Sequence, residues 1–344
     1  MATTLKDISK RARTSEATVS LVLNGRHFNR VSLETRHKIE SIAREMGYVP
    51  RRAAQILATG KTHNIGVILN DLSNPFFGHY ASLIQQALLE NGYTALPMET
   101  QADRQREQEL MSWLPQRSVD GIIALENLWE AHDGQQYAHD KLPFVLRHQT
   151  DNQSHEGHTH VSVDYQVGIT KLASHLKAMR WDNVGVLMPP QHMPHVDEPE
   201  HPRTTMIRDA LHEHGLQSPQ TWWASAEESK ILDHWYEQTM YLLREHPQIN
   251  ALIVHNAIAV PAVYAGALQV GRVLGRDLAI AAFDDNLFTP WLRPGVTVIA
   301  EPIEQIAKLL VKMLLDQLAD PARPVSCESI PTELLIRSST DRSM

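Results

Sequence analysis

The chain has 344 residues, of which 42% are hydrophobic and 21% are charged. This length suits two or three globular domains, and the composition excludes a disordered, collagen-like or coiled-coil chain. No apolar run approaches the roughly 18 residues that a membrane-spanning helix needs, and the N-terminus has no apolar signal sequence. Cys327 is the single cysteine, so a disulfide within the chain and a cysteine zinc cluster are both excluded. We therefore expect a soluble, cytoplasmic protein.

The net charge of −8 conceals two regions of opposite sign. Residues 1–61 contain 12 Lys and Arg but only five Asp and Glu, which gives +7, whereas the rest of the chain carries −15. A basic region joined to an acidic body is typical of a protein that binds a polyanion such as DNA. From charge alone, a basic surface without any such role is an equally good interpretation.

Three short helices are predicted in the basic region. Thr4 and Ser15 are suited to cap the first two, and Ser32 begins a third helix that ends at Gly47. Two short helices separated by about three residues and supported by a third form a helix-turn-helix unit. In this unit the N-terminal residues of the second helix reach base edges in the major groove. Here these residues are Ser15, Glu16, Ala17, Thr18, Ser20 and Leu21.

Residues 51–60, RRAAQILATG, form a candidate hinge between the basic region and the body. Ala, Gln and Leu favour a helix that Gly60 would end. So few turns are not stable alone in water. The segment is therefore either a plain linker or a helix that depends on a partner.

Beyond residue 61, short apolar strands alternate with helices. The predicted strands are 64–69, 94–98, 121–125, 144–147, 161–164, 184–188, 251–254, 278–283 and 297–300. The predicted helices are 76–91, 104–117, 165–179, 203–214, 231–246, 258–272 and 303–318. This alternation predicts parallel sheets covered on both faces, and about 280 residues should divide into two lobes. Ligands of such sheets bind beyond the carboxyl ends of the strands, here in the cleft between the lobes.

Polar and aromatic side chains stand where predicted strands end or helices begin. They are Asp71, Asn74, Phe76, Phe77, Arg147, Asp164, Arg203, Asn256 and Asp284. Carboxylates, an arginine fork and aromatic faces together suit a polyol. Structural alternatives remain: the two phenylalanines as core, Asp71 and Asp164 as helix caps, and either Asp284 or Asp285 as the cap of the next element.

Two histidine-rich segments, residues 149–160 and 189–202, have the composition of loops. Neither has helical histidine spacing or a neighbouring cysteine, so we expect polar surface rather than a metal site. The sequence contains no GxGxxG, GxxxxGK[ST] or GxSxG motif and no clear pairing of a nucleophile with a base. We therefore expect neither an enzyme nor a cofactor.

Three segments near the N-terminus resemble the lactose-repressor (LacI/GalR) family of bacterial transcription regulators: TLKDISKRARTSEATVSLVLNG, VSLETRHKIESIAREMGYVP and TGKTHNIGVILNDLSNPFF. The resemblance continues through VDGIIAL, RTTMIRDAL, LIVHN, LAIAAFDDN and LLIRSS, and so covers essentially the whole chain. SLVLNG and LAIAAFDDN also resemble members that control sugar catabolism, including maltose-type regulators. The resemblance implies an all-α helix-turn-helix headpiece followed by a periplasmic-binding-protein-like, two-lobed α/β body with parallel sheets.

For DNA binding, the resemblance implies that Glu16, Ala17 and Leu21 face bases. Leu21 stands where many members have Arg, so it suits a thymine methyl group rather than guanine, while Glu16 suits either a cytosine amine or the helix dipole. Thr18 and Ser20 better suit phosphates. Leu57 matches a leucine that members insert between base steps in the minor groove. In those members the leucine lies on a hinge helix that forms only in contact with DNA and with the hinge helix of the second subunit. The predicted DNA-binding set is Thr4, Ser15, Glu16, Ala17, Thr18, Ser20, Leu21, Asn24, Arg51, Ala54 and Leu57, with Arg51 in place of the usual Asn.

For the effector, the resemblance matches Arg203, Asn256 and Asp284 to recurrent ligand contacts, and Phe76 and Phe77 to lid aromatics. Glu301 stands where several members have Gln, and its negative charge argues against an anionic effector at that spot. Two departures, Met206 for the usual Gly and Ala257 for the usual Asp, leave open a cleft that no longer senses a ligand.

We predict a headpiece over residues 1–46, a hinge over 47–61 and an effector-binding and dimerisation body over 62–344. The predicted lobes are about 62–162 with 293–320 for lobe one, and 163–290 with 321–344 for lobe two. The chain ends at LLIRSSTDRSM without apolar heptads, which argues for a dimer rather than a tetramer.

The predicted function is that of a transcriptional regulator, as a repressor. A homodimer binds a pseudo-palindromic DNA operator, and a small molecule such as a sugar changes the angle between the lobes. The alternatives are a cytoplasmic small-molecule-binding protein or enzyme with a basic head, and a DNA-binding protein that has lost effector sensing.

Overall fold

The computed structural model describes residues 3–23, 31–48, 60–101, 103–114, 119–125, 142–149, 158–189, 202–219, 222–225 and 232–342. The chain divides into two units, Met1–His63 and Asn64–Met344.

The first unit contains the predicted helix-turn-helix fold. Among its described residues, the helices are α1 (Leu5–Ala12), α2 (Glu16–Leu23) and α3 (Leu33–Glu45). They bury one small apolar core, made of Ile8, Ala12, Val19, Val22, Ile39, Ile42 and Ala43. Each helix therefore gives one apolar face to the others and keeps its remaining surface in solvent.

The helix ends form as the sequence predicts. The Thr4 hydroxyl accepts a hydrogen bond from the Asp7 amide at 3.3 Å, and the Asp7 carboxylate accepts one from the Thr4 amide at 3.0 Å. The hydroxyls of Ser15 and Ser32 accept from the Thr18 and Thr35 amides, at 3.1 and 3.3 Å, at the starts of α2 and α3. These caps satisfy backbone donors that have no partner inside the helices, and they fix where each helix begins.

The second unit is a two-lobed α/β body, in which the described strands form one six-stranded sheet in each lobe. Its strands are β1 (Asn64–Leu69), β2 (Thr94–Glu99), β3 (Gly121–Ala124), β4 (Phe144–Gln149), β5 (Thr159–Asp164), β6 (Val184–Met188), β7 (Trp223–Ser225), β8 (Ala251–Val254), β9 (Ala279–Phe283), β10 (Thr297–Ala300), β11 (Cys327–Pro331) and β12 (Glu333–Leu335). Lobe one has the strand order β11-β5-β4-β3-β1-β2, and lobe two has β12-β10-β9-β8-β6-β7. Among the described strands, all neighbouring pairs are parallel except β10 and β12.

In the described part of the body, seven α-helices cover the sheets: α4 (Pro75–Glu90), α5 (Arg104–Trp113), α6 (Tyr165–Ala178), α7 (Pro202–Glu213), α8 (Asp233–Glu245), α9 (Val260–Gln269) and α10 (Ile303–Ala319). Helices α4 and α10 pack together in lobe one, whereas α6 packs on β10 and β12 of lobe two. Buried apolar residues of both lobes form one continuous cluster, which includes Val67 of β1, Val186 of β6 and Ile299 of β10. The lobes are thus packed against each other along their junction.

The division of the C-terminal segment between the lobes differs from the predicted one. Strand β10 belongs to lobe two rather than lobe one, and β11 belongs to lobe one rather than lobe two. The reason is that the chain changes lobes after β5, after β10 and again between β11 and β12. Helix α10 itself packs on β3 and β4 and so lies in lobe one, as predicted.

Three strands, β7, β11 and β12, were not predicted. All three lie at sheet edges, and β11 is largely exposed and contains Pro331. An edge strand has fewer neighbours, so it does not need the apolar run by which a central strand is recognised. No helix among the described residues has the length and hydrophobicity to cross a bilayer.

The segment of residues 337–342 is tied to lobe two by side-chain contacts. The indole of Trp181 donates to the Thr340 carbonyl at 2.8 Å, and the Arg342 guanidinium lies 3.4 Å from the centroid of the same indole. His175 on α6 bonds the Thr340 hydroxyl at 2.8 Å. Burial lowers the pKa of His175 below its ordinary value of 6.5, although Asp341 and the bond to Thr340 act in the opposite direction.

We expect His175 to make the body less stable in mild acid. A histidine whose pKa is lower in the folded chain binds a proton more readily once unfolded, so its contribution is present above about pH 6.5 and falls as the pH drops below that value. Chemical denaturation at pH 7.5 and pH 5.5 measures the effect. His175→Gln should lose less stability between these two conditions than the wild type, whereas His79→Gln, at an exposed position, should behave as the wild type. An identical loss in all three proteins would contradict the assignment.

Candidate functional site

The predicted base-reading residues lie along the outer side of α2. Ser15, Glu16 and Ala17 are exposed, while Val19 and Val22 on the opposite side are buried in the headpiece core. Thr18, Ser20 and Leu21 are partly buried at the edge of this surface. The N-terminal turn of α2 therefore presents short side chains and one carboxylate to solvent.

Some of the predicted DNA-binding residues also cap the helices of the headpiece. Thr4 takes part in the cap of α1, and the hydroxyls of Ser15 and Thr18 are 2.8 Å apart at the start of α2. Arg11 of α1 forms an exposed ion pair with Glu45 of α3 at 2.9 Å. The other predicted DNA contacts, Asn24, Arg51, Ala54 and Leu57, lie outside the described residues.

In the body, a buried ion pair occupies the junction of the lobes. Arg147, in β4, donates from Nε to Glu301 Oε2 at 2.9 Å and from Nη2 to the other carboxylate oxygen. Arg147 Nη1 donates to the carbonyl of Leu125 at 3.0 Å. The two side chains are 2% and 0% exposed. Such a pair is stable in the interior only because the fork and the carboxylate satisfy each other in parallel.

Two tyrosines complete the bonding of Glu301. Tyr80 on α4 donates its hydroxyl to Glu301 Oε2 at 2.5 Å, and Tyr165 at the start of α6 donates to Oε1. Arg147 Nη2 also reaches the Tyr165 hydroxyl at 3.2 Å. The Glu301 carboxylate thus accepts hydrogen bonds from three side chains.

Burial and charge fix the protonation of this cluster. Burial alone would raise the pKa of Glu301, but the charge of Arg147 and the hydrogen bonds to the carboxylate outweigh it and lower that pKa. Burial, reinforced by the charge of Glu301, raises the pKa of Tyr80 and of Tyr165 well above the ordinary value. Glu301 is therefore an anion that accepts, and both tyrosines are neutral groups that donate.

This pairing changes the meaning of the Glu301 charge. The sequence suggested a net negative group that disfavours an anionic ligand, but Arg147 neutralises that charge at hydrogen-bond distance. Charge repulsion from Glu301 therefore does not select the ligand.

Arg203 on α7 is held between two aromatic rings. Its guanidinium lies 4.3 Å from the ring centroid of Tyr165 and 4.7 Å from that of Phe283, the last residue of β9. Nη1 of Arg203 is 3.3 Å from Nδ1 of His255, and because arginine can only donate, this histidine nitrogen accepts. Stacking on both sides fixes the plane of the guanidinium.

Asp284 and Asp285 have different surroundings. Asp284 follows β9 directly, is buried and has a φ of 68°. Asp285 is bound by the Arg337 fork, with distances of 3.0 and 2.7 Å to its two oxygens, and its carboxylate also accepts from Thr289. Asp285 thereby joins the loop after β9 to the C-terminal segment, while Asp284 lies at the carboxyl end of the sheet.

The remaining predicted polar residues cap turns and helices. One side-chain oxygen of each accepts from a backbone amide two residues further on, at 2.7 Å for Asp71, 3.1 Å for Asn74, 2.9 Å for Asp164 and 3.1 Å for Asn256. Phe76 and Phe77 are buried and meet edge to face, and Phe76 packs in the same way on Tyr80. These side chains therefore fix the turns and helix starts that follow the strands.

The structure thus joins Phe76, Arg147, Glu301 and Arg203 into one network, and the links are Tyr80, Tyr165 and Phe283. Neither these three aromatic residues nor His255 was expected from the sequence. Tyr165 and His255 each directly follow a strand, and Tyr80 lies one helical turn beyond Phe76. The same strand-end and helix-start reasoning that selected the other candidates could therefore have identified these three residues.

A close contact between α6 and β10 positions Tyr165 beside Glu301. A Cβ atom at Gly168 would lie 2.5 Å from both the Ile299 side chain and the Thr332 hydroxyl. Only glycine therefore lets the first turn of α6 approach β10. No group of three potential metal-binding residues is found among the described residues.

Two family descriptions match separate parts of the chain. Residues 4–51 match "Bacterial regulatory proteins, lacI family", and residues 173–340 match "Periplasmic binding protein-like domain". The first match covers the helix-turn-helix unit, and the second covers most of lobe two with the C-terminal part of lobe one.

Named relatives and a solved structure are similar over nearly the full length. The ribose operon repressor of Halalkalibacterium halodurans is 25% identical over 98% of this chain and 97% of its own. The HTH-type transcriptional regulator MalR of Streptomyces coelicolor is 27% identical over 99% and 97%. The crystal structure of the lac repressor dimer bound to operator and the anti-inducer ONPF superimposes with a TM-score of 0.80, at 21% identity, over 99% of both chains.

The Asp285–Arg337 pair should contribute measurably to stability. Asp285→Asn leaves Arg337 without a counter-charge in a partly buried site, and we expect a loss of about 1–3 kcal/mol in the free energy of unfolding. Asp182→Asn is the control, because its pair with Lys177 is about half exposed and such pairs contribute about 0–1 kcal/mol. Urea titration measures both, and equal losses would show that Asp285 has no special role.

Proposed function

Because the chain belongs to the lacI family of bacterial regulatory proteins, we propose that it is a cytoplasmic transcriptional repressor that binds a pseudo-palindromic operator as a homodimer and responds to a small molecule. The observation that carries this proposal is the presence, on one chain, of a helix-turn-helix unit and a two-lobed binding body, each matched to its own family description. The relatives named above are themselves named as transcriptional regulators or operon repressors, which supports a regulator rather than an enzyme.

DNA recognition is assigned to α2 and the segment after α3. In this proposal Glu16, Ala17 and Leu21 meet base edges, and Thr4, Ser15, Thr18, Ser20 and Asn24 meet or orient towards phosphates. Arg51, Ala54 and Leu57 act in the minor groove, with Leu57 as the wedge between base steps. The exposure of the first turn of α2 supports the first assignment, and the charge of +7 over residues 1–61 supports strong, salt-dependent binding.

The small molecule is assigned to the cleft between the lobes, and its class to sugars or sugar-like polyols. Support comes from the convergence of Arg203, His255 and Phe283 at the carboxyl ends of the lobe-two strands, and from a relative named as a ribose operon repressor. Arg203 and Asp284 are the principal contacts, and Phe76 and Phe77 are assigned as lid aromatics. Asp71, Asn74, Asp164 and Asn256 are assigned as further contacts.

Regulation follows from a difference in affinity. A ligand changes DNA binding only if it prefers one arrangement of the lobes, and DNA must then change the affinity for the ligand by the same factor. For this purpose we propose a headpiece of residues 1–46, a hinge of 47–61 and a body from residue 62 onward, with the lobes divided as the two sheets are.

Leu21→Arg should change the operator preference at one position in each half-site. Arginine makes a bidentate contact to guanine, whereas leucine contacts the thymine methyl group, so we expect a change from a T·A to a G·C pair worth about 1–3 kcal/mol. Selection from a random DNA library by the purified proteins gives the preferred sequences. Ser20→Ala is the matched control, and it should weaken binding to all sequences alike. An unchanged preference in Leu21→Arg would remove this residue from base reading.

Leu57→Ala should weaken operator binding more than binding to unrelated DNA. A wedge contributes only where the DNA is bent to receive it, whereas phosphate contacts act on any sequence. Titration of both DNAs at fixed salt measures the two losses. Equal losses would show that Leu57 is not a wedge.

Asp284→Asn should blunt the response to the ligand while operator affinity is retained. Asparagine tolerates the positive φ at this position as aspartate does, so the backbone is preserved while the charge is lost. Titration of a sugar and nucleoside panel against the operator complex measures the response, with the half-exposed Asp182→Asn as control. A wild-type response in Asp284→Asn would move the ligand site elsewhere.

A further inference from the structure

The four residues of the buried cluster come from both lobes and from the chain crossings between them. Arg147 lies on β4 and Tyr80 on α4, both in lobe one. Glu301 follows β10, where the chain leaves lobe two for α10. Tyr165 follows β5, where the chain leaves lobe one and begins α6 on lobe two. The Glu301 carboxylate therefore receives donors from one lobe and from the first residue of the other.

We propose that Tyr80, Arg147, Tyr165 and Glu301 form an inter-lobe clasp, in which Glu301 acts as an internal ligand that holds the lobes together without any bound small molecule. The clasp stands on the geometry alone. Only its consequence, that the unliganded protein keeps one DNA-binding arrangement, rests on the proposed function.

The clasp resists opening because its polar side chains are buried away from solvent and hydrogen-bonded to one another. Arg147 and Glu301 are almost completely buried, and among the described residues the bonds to the Glu301 carboxylate come from the side chains of Tyr80, Arg147 and Tyr165. Rotation about the crossings would separate Tyr165 from Glu301 or Glu301 from Arg147, and would leave a charge or a hydroxyl without its partner until water entered.

This assignment separates Arg147 and Glu301 from the ligand contacts to which the sequence assigned them. A neutral hydroxyl cannot replace the counter-charge of Arg147, so a polyol is not expected to displace Glu301. Arg203 is different, because it stacks on the ring of Tyr165, whose hydroxyl belongs to the clasp. Tyr165 therefore contacts Glu301 through its hydroxyl and Arg203 through its ring.

The clasp predicts one defined lobe arrangement in the free protein. The test measures the distance between spin labels on exposed positions of the two lobes, Gln86 on α4 and Gln269 on α9, after Cys327→Ser removes the exposed native thiol. Dilution with unlabelled protein restricts the reading to distances within one protomer. Without DNA or small molecules, we expect a single narrow distribution.

Glu301→Gln should shift this distribution to longer distances and broaden it, because the charge that holds Arg147 is lost. Tyr165→Phe removes only one hydroxyl and should broaden the distribution less. Arg337→Met is the matched control, because it breaks the bidentate pair with Asp285, whose two partners both lie in lobe two. Its distance distribution should therefore match that of the parent, which is the doubly labelled Cys327→Ser protein without further substitutions.

The proposal is overturned if the parent itself is broad, or if Glu301→Gln and Tyr165→Phe fold, as judged by circular dichroism, yet superimpose on the parent. If Glu301→Gln fails to fold, Tyr165→Phe alone decides, and an unchanged distribution counts against the clasp. Operator binding is measured separately on the same proteins. A protein without operator binding but with the expected distances would reject the proposed function and leave the clasp intact.

Discussion

The contact between Arg147 and Glu301 is the constraint on which the arrangement of the body depends. Two opposite charges are buried where the chain passes between lobes, and neither is tolerable there without the other. Their bonds require β4, α4, β10 and the first turn of α6 to meet within a few ångströms. That meeting in turn requires glycine at position 168. This polar contact therefore adds a geometrically specific link to the apolar cluster that spans both lobes.

The fold was largely predictable from the sequence because its signals are local. Hydroxyl and carboxylate caps marked the helices of the headpiece, and apolar runs marked the central strands, such as Val184–Met188, to the residue. The division of β10 and β11 between the lobes was not predictable, because it depends on strand pairings between distant parts of the chain, such as that of β11 with β5. The edge strand Cys327–Pro331 carries no apolar run at all.

The sequence named some residues of the candidate site but not their pairing. The sequence selected these residues one by one: Arg147 and Asp284 at strand ends, Arg203 at a helix start, and Glu301 by the family resemblance. It gave no sign that Arg147 and Glu301 satisfy each other, since 154 residues separate them in the chain. Nor did it select Tyr80 and Tyr165, whose hydroxyls donate to Glu301 but whose buried rings resemble those of ordinary core residues. Long-range polar pairs are specified by the folded geometry, which no short window of sequence contains.

The exchange of strands between the lobes has a consequence for biosynthesis. Lobe one lacks its edge strand β11 until residues 327–331 have left the ribosome, and lobe two lacks β12 until residues 333–335 have followed. Neither lobe can be finished while translation continues through α10, although the headpiece, whose core ends at Ala43, is complete long before. The nascent chain thus holds a folded DNA-binding module ahead of two unfinished sheets, and their open edges need protection from pairing with other chains during this interval.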